Sequence, residues 1–120
     1  MILIISGSRD FDDYDLMCQK LKQLEDGLEV VTEVVCGGAK GADSLGKQWA
    51  DEHDVPVKMM LAQWSKNGKA AGPIRNREMA EYAEALMAFW DGDSPGTKNM
   101  INTMRELKKP IHVVTFGEFL

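Results

Sequence analysis

Five short apolar runs constrain this 120-residue chain more than any other feature, each cut off by small, acidic or amide residues and most followed by a stretch with helical spacing. The runs are Ile2–Ile5, Val30–Cys36, Pro56–Leu61, Ala85–Trp90 and Ile111–Thr115. Most are near-continuous rather than alternating, as strands are when helices cover both faces of a sheet. Tyr14, Met17, Leu21 and Leu24 then fall three and four apart, after Asp12 or Asp13 as a helix cap and before Gly27 as a stop. Ala42, Leu45, Trp49 and His53 share one face of a second helix. Gly72-Pro73 opens a third, with proline where a missing N–H costs nothing, and Met79 and Tyr82 give it a buried side. Met100, Ile101, Met104 and Leu107 mark the last helix, whose C-terminal dipole suits Lys108 and Lys109; Pro110 starts the final strand. Ala62 to Gly72, with Trp64, Lys66 and Lys69, reads as a long loop of the kind that often carries function.

This alternation predicts an α/β fold, a three-layer α/β/α sandwich with a mainly parallel five-stranded sheet, over residues 1–120 as one domain. The apolar runs are strand-sized, too short for a membrane span. Met1–Ile5 is too short for a signal peptide and has no basic leader, so the expected location is cytoplasmic. Cys18 and Cys36 stand in no metal-like spacing and read as small buried residues. His53 and His112 are isolated, and no metal centre is expected from them. The net charge of −5 disfavours a general nucleic-acid binder, which needs a basic excess to neutralise phosphates.

In open α/β sheets, ligands bind beyond the carboxyl ends of the strands, where the strand order reverses. Small residues follow the runs here: Ser6-Gly7-Ser8-Arg9 after the first, Gly37-Gly38-Ala39-Lys40-Gly41-Ala42-Asp43 after the second, Asp91-Gly92-Asp93-Ser94-Pro95-Gly96-Thr97 after the fourth. Such residues let backbone amides approach a ligand, and helix N-termini favour anions. Arg9, Lys40, Lys66, Lys69, Arg75, Arg77 and Lys98 fall in these loops or the helix starts after them, seven of the 14 basic residues in an acidic chain. That concentration points to an anionic ligand. The standard nucleotide motifs do not fit: Gly68-Lys69 precedes Ala70 rather than a serine or threonine, and Gly37–Gly41 lacks the dinucleotide spacing. Two of Asp10, Asp43, Asp91 and Asp93 could hold Mg²⁺ together with a ligand's phosphates; equally they could cap helices or bond ribose hydroxyls. Trp49 reads as core and Trp90 as pocket wall, whereas Trp64 suits base stacking and plain packing alike.

Gly7-Ser8-Arg9-Asp10-Phe11, Gly37 to Asp43, Gly72-Pro73-Ile74-Arg75-Asn76-Arg77-Glu78-Met79, and Asp91-Gly92 with Ser94 to Thr97 occur in that order. Together they resemble the YspA-type branch of the SLOG superfamily, found in bacteria and their phages, which is related to the Lonely Guy phosphoribohydrolases and the Smf/DprA proteins. The resemblance covers nearly the whole chain. It implies a Rossmann-like fold that binds a nucleotide or nucleotide derivative, and pairing of two chains into a homo-oligomer. Lonely Guy enzymes cut the N-glycosidic bond of nucleoside 5′-monophosphates, using an arginine before a helical Glu-Met pair and a glutamate after a Pro-Gly-Gly-x-Gly-Thr loop. Arg75 with Glu78-Met79 is similar to the first element, and Ser94 to Thr97 is similar in part to the second. The glutamate's place is taken by Met100, which can neither stabilise an oxocarbenium-like centre nor activate water.

Three readings follow. The first is a nucleotide sensor or processing domain, with phosphate on the amides of Gly37–Gly41 and Gly96–Thr97, charge neutralised by Arg9 and Arg75, and Asp43 or Asp91 on the ribose or base. The second is an N-glycoside hydrolase, in which Asp91, Asp93 or Glu78 supplies the carboxylate beside Arg75, Asp91 being favoured. The third is a nucleic-acid or protein interaction module. The expected site residues are therefore Gly7, Ser8, Arg9, Gly37, Gly38, Ala39, Lys40, Gly41, Asp43, Arg75, Asp91, Gly92, Ser94, Gly96 and Thr97, with Glu78 added for the hydrolase.

Overall fold

The computed structural model describes residues 1–117. In chain order the elements are β1 (Ile2–Gly7), α1 (Tyr14–Gly27), β2 (Glu33–Cys36), α2 (Ala42–Glu52), β3 (Val57–Met59), α3 (Trp64–Asn67), a 3₁₀ turn (Gly68–Ala70), α4 (Ala71–Tyr82), β4 (Ala85–Trp90), α5 (Pro95–Glu106) and β5 (Ile111–Thr115). The five strands form one all-parallel sheet in the order β3-β2-β1-β4-β5. Among the described residues, no helix is long and apolar enough to cross a membrane.

Side-chain alternation along the central strands divides the core in two. Leu3 and Ile5 of β1, with Met87 and Phe89 of β4, pack beneath α1 and α2 against Met17, Leu21, Leu24, Trp49 and Ala50. Ile4, Leu86 and Ala88 point the other way, onto Met79, Ala80, Met100, Ile101 and Met104 of α4 and α5. The three layers follow directly. Both faces of the sheet are covered, which is why the central strands read as unbroken apolar runs.

Helix boundaries follow local chemistry. Asp13 caps α1, its Oδ1 accepting from the Leu16 amide at 3.0 Å. The carboxyl end of α4 is held from a distance: the Lys109 ammonium donates to the carbonyls of Ala80, Glu81 and Ala83 at 2.8, 3.1 and 2.7 Å. Those carbonyls have no partner within the helix, and a cation there complements the dipole.

The observed elements depart from the sequence expectation in several places: β1 runs on through Ser6 and Gly7, and Tyr82, expected on the buried side of its helix, is exposed. β2 and β3 are shorter, because beyond Glu33–Cys36 and Val57–Met59 only single bonds such as Thr32 N–H to Met1 O (2.8 Å) and Met60 N–H to Cys36 O (3.0 Å) continue the pairing. The stretch expected as a loop from Ala62 to Gly72 is largely helical. The Gln63 carbonyl accepts from Lys66 and Asn67 at 3.1 and 2.8 Å, and α4 already begins at Ala71. Pro73 is thus the third residue of α4, still within the first turn where an N–H has no helical acceptor. His53 ends α2 exposed, stacked on Trp49 with ring centroids 4.6 Å apart.

At the carboxyl end of β1, beside β4, there is no room for a side chain. A Cβ on Gly7 would lie 2.1 Å from the Phe89 carbonyl oxygen and 2.8 Å from the Ala42 Cβ. Gly27, by contrast, would carry a Cβ with nothing within 4 Å. Gly7→Ala is expected to cost about 3 kcal/mol or more, since backbone must move to admit the methyl group. Gly27→Ala is expected to add about 0.5–1 kcal/mol of stability through helix propensity. Urea denaturation of the two variants checks the pair.

Candidate functional site

The strand order reverses between β1 and β4, and a cleft of about 610 Å³ opens above their carboxyl ends. Such a volume is ordinary for a small-molecule site. Its floor is Ser6 to Asp10, its walls Ala39 and Asp43 on one side and Ser94 to Thr97 with Asn99 on the other, and Trp64, Gly72, Pro73, Arg75 and Asn76 complete it.

Ser8, 1% exposed, ties the floor together. Its N–H donates to Phe89 O at 2.9 Å, and its carbonyl accepts from Phe11 and Ala42 at 3.2 and 3.3 Å. Its hydroxyl accepts from the Asp91 amide at 3.0 Å and lies 3.0 Å from the Ser94 hydroxyl. Asp91 in turn shapes the loop after β4. Its carboxylate accepts from the amides of Asp93 and Ser94 at 2.9 and 2.8 Å and from the Ser94 hydroxyl at 2.9 Å. These donors, the Ser94 and Asp93 amides first, pull its pKa down to about 2.

The amino end of α5 opens onto the cleft without a cap. Ser94 makes no side-chain capping bond, Pro95 has no N–H, and Lys98 N–H is already bound to Ser94 O at 3.1 Å. The amides of Gly96 and Thr97 stay available at the positive end of the helix dipole. A Cβ on Gly96 would meet nothing within 4 Å, so the approach is open.

Arg75 stands across from this turn. Its Nη1 donates to Gly37 O at 3.0 Å and to Met60 O at 3.4 Å, and its Nε donates to Asn76 Oδ1 at 3.1 Å. No hydrogen bond to a described residue occupies Nη2. Gly37 makes the space: a Cβ there would lie 2.5 Å from Nη1. Below, Asp43 is 6% exposed and its Oδ2 accepts from the Gly37 and Ala39 amides at 3.0 and 3.3 Å. Burial pushes its pKa up to about 6, and those amides together with Arg75 and Arg9 keep it from rising further.

Nine expected site residues line the cleft together: Gly7, Ser8, Arg9, Ala39, Asp43, Arg75, Ser94, Gly96 and Thr97. Others lie elsewhere. Gly37 is beneath Arg75, and exposed Gly38 faces Leu61 and Met59. Gly41 borders a shallower cavity shared with Arg9 and Asp10, while Lys40 and Gly92 are exposed outside the lining. Asp91 is also outside the lining, its carboxylate turned to the backbone of its own loop. Glu78 borders a further cavity of about 260 Å³ with Lys66, Leu61 and Arg75, the last of which also lines the cleft. Of the three catalytic candidates, only Arg75 lines the cleft. Asp10 and Asp43 are its two carboxyl groups, and no three His, Cys, Asp or Glu side chains among the described residues group as metal ligands. Met100, standing where the resemblance expects a glutamate, is fully buried in the core.

Of the seven cations expected at the rim, Arg9 and Arg75 line the cleft. Arg77, two residues on and so across the helix, pairs with Glu81 and Glu106 at 3.8 and 3.3 Å. Trp90 is not a wall; its Nε1 donates to Ser94 O at 3.1 Å and braces the loop. Trp64 does line the cleft, 58% exposed. Sequence reasoning missed Asn76 and Asn99, whose signal was faint: amide residues inside helices, where asparagine is a poor choice.

Asp43 makes stability depend on pH. The folded carboxyl keeps its proton up to about 6 whereas the unfolded one loses it near 3.8, so the folded state binds more protons between. Stability from this group is present below pH about 4 and is lost as pH rises through about 6. Urea denaturation across pH 4–8 is expected to show that decline in the wild type and a flatter profile in Asp43→Asn, the two diverging by up to about 3 kcal/mol. Parallel profiles would contradict it.

Comparison with known proteins agrees with this architecture. The structure of DNA processing protein A (DprA) from Streptococcus pneumoniae superposes with a TM-score of 0.73 over 98% of this chain at 16% identity. The chain spans half the length of that protein, 50% of it, and the likeness is one of fold. The Gene 61 protein of Mycobacterium phage D29 is 35% identical over 127 aligned positions, covering 97% of this chain and 96% of the phage protein. Residues 1–67, which carry Gly7 to Arg9 and Gly37 to Asp43, match the YspA, cpYpsA-related SLOG family. With more than half its length matching that family, the chain belongs to the YspA, cpYpsA-related SLOG family.

Proposed function

We propose that the cleft binds a nucleotide or nucleotide-derived phosphorylated ligand, and that the protein acts as a sensor or processing domain for it. The observation that carries this reading is the uncapped amino end of α5 lining the same cleft as Arg75, whose Nη2 makes no hydrogen bond to a described residue. Backbone amides at a helix start and a planar guanidinium are the two recurrent partners of a phosphate group. Arg9 adds a third positive group from the floor. Asp10 and Asp43 are acceptors suited to ribose hydroxyls or an exocyclic amine, and exposed Trp64 offers a flat apolar face for a base. The net charge of −5 favours a small-molecule partner over a nucleic acid.

A second reading, hydrolysis of an N-glycosidic bond, is favoured by Asp43. It is a cleft carboxyl whose pKa near 6 suits proton transfer close to neutral pH. In that case Asp43, rather than Asp91 or Glu78, supplies the carboxylate. Release of free base from the bound nucleotide separates this reading from simple binding.

A thermal-shift panel of AMP, GMP, CMP, ADP-ribose, NAD, cyclic nucleotides and inorganic phosphate tests the first reading. A ligand at about a hundred times its Kd adds about 2.7 kcal/mol, enough to raise Tm by several degrees in a domain of this size. Arg75→Ala is expected to keep the fold and to weaken the responding ligand by about 1.5–3 kcal/mol. No shift with any compound, or undiminished binding by that variant, would overturn the site.

A further inference from the structure

Asn76 lies in the second turn of α4, 7% exposed, in a helix whose other buried residues are Ala71, Met79 and Ala80. Asparagine is a weak helix former, and a buried amide is costly unless its polar atoms are paired. An apolar side chain would serve packing against α5 better. The contacts of Asn76 supply a different reason for its presence. Its Oδ1 accepts from Arg75 Nε at 3.1 Å, and its Nδ2 donates to Gly96 O at 3.3 Å and to Asn99 Oδ1 at 2.9 Å.

We propose that Asn76 is the positioning residue of the cleft: its carboxamide fastens the Arg75 guanidinium to the first turn of α5, so that the two form one preorganised anion-binding unit. This rests on the anion-site reading above and assigns the residue that makes that site rigid. Two geometric facts give it force. The Nε–H and Nη1–H bonds lie in the guanidinium plane, so acceptors on both, Asn76 Oδ1 and Gly37 O, orient that plane and leave Nη2 without a hydrogen bond to a described residue. At the other end, Gly96 O belongs to the same planar trans peptide as Thr97 N–H, and the two point in opposite directions. Holding Gly96 O therefore aims Thr97 N–H.

Only a carboxamide satisfies both ends, because Nε needs an acceptor while Gly96 O and Asn99 Oδ1 need a donor. Alanine serves neither. Aspartate keeps the acceptor for Nε but sets a second oxygen against Gly96 O and Asn99 Oδ1. The two substitutions therefore separate the two arms of the contact.

The test is NMR on ¹⁵N-labelled protein, with inorganic phosphate and AMP as titrants. The Arg75 Nε–Hε signal, assigned by its loss in Arg75→Lys, is expected to be sharp and slowly exchanging in the ligand-free wild type. In Asn76→Ala it broadens into solvent exchange, and the Kd for phosphate and AMP rises about tenfold, the scale of one charge-assisted hydrogen bond. In Asn76→Asp the signal survives while affinity still falls, because the Gly96 arm is lost. The amide spectrum of each variant reports folding, and the aspartate variant carries the test if the alanine one unfolds. An unchanged Arg75 Nε–Hε signal in folded Asn76→Ala, or unchanged affinity in both variants, would overturn the proposal. Loss of that signal in Asn76→Ala, with no binding of phosphate or AMP by the wild type, would support the tie between Arg75 and α5 and overturn the anion-site reading instead.

Discussion

Where β1 gives way to its loop, the Ser8 amide reaches the Phe89 carbonyl at 2.9 Å, and the residue before it has no room for a side chain. The rest of the cleft depends on this approach of two parallel strands. It brings the floor loop under the loop after β4, so that one buried serine can hold both with its main chain and its hydroxyl. It sets the start of α2 beside the same floor through Ala42 N–H. It also orients α5, because the Asp91 loop that launches this helix hangs from Ser8. A parallel sheet with a reversal in strand order always leaves a crevice at this point. Here the floor of the crevice has no room for a side chain at position 7.

Two rim aspartates, one lining the cleft and one outside it, illustrate how environment sets the charge of a carboxyl group. Asp91 is surrounded by donors and held ionised, so it is a piece of loop architecture. Asp43 has two backbone donors and a neighbouring arginine as well, yet burial outweighs them and leaves its charge variable near neutral pH. Sequence position favoured Asp91 because it ends a central strand. Burial, which sequence does not display, raises the pKa of Asp43 instead.

Much of the fold was legible from composition along the chain. β4 and β5 run over the expected residues, Ala85–Trp90 and Ile111–Thr115; Glu84 and Asp91 bound the first, and Pro110 opens the second. α3 was not legible, since four residues with none buried leave no periodic stripe. In the site, Gly7, Ser8, Gly96 and Thr97 could be found because small residues after a strand have a limited repertoire. The cations were harder. A loop or helix start can be read from sequence, but the direction of each side chain cannot, and so Arg75 and Arg77 looked alike. Asn76 escaped notice because its value lies in three partners spread from residue 75 to residue 99.

The Lys109 ammonium, spent on the last carbonyls of α4, has a mechanical consequence. α4 is joined to α5 at mid-helix through Asn76, with Gly96 and Asn99, and at its carboxyl end through Lys109 in the turn that follows α5. Asn76 is the sixth residue of a twelve-residue helix, so the two fastenings lie about 6–10 Å apart along its carboxyl half. The carboxyl half of α4 is therefore held against the α5 region at two points, whereas α3 and the 3₁₀ turn that lead into its amino end contain no buried residue to anchor them.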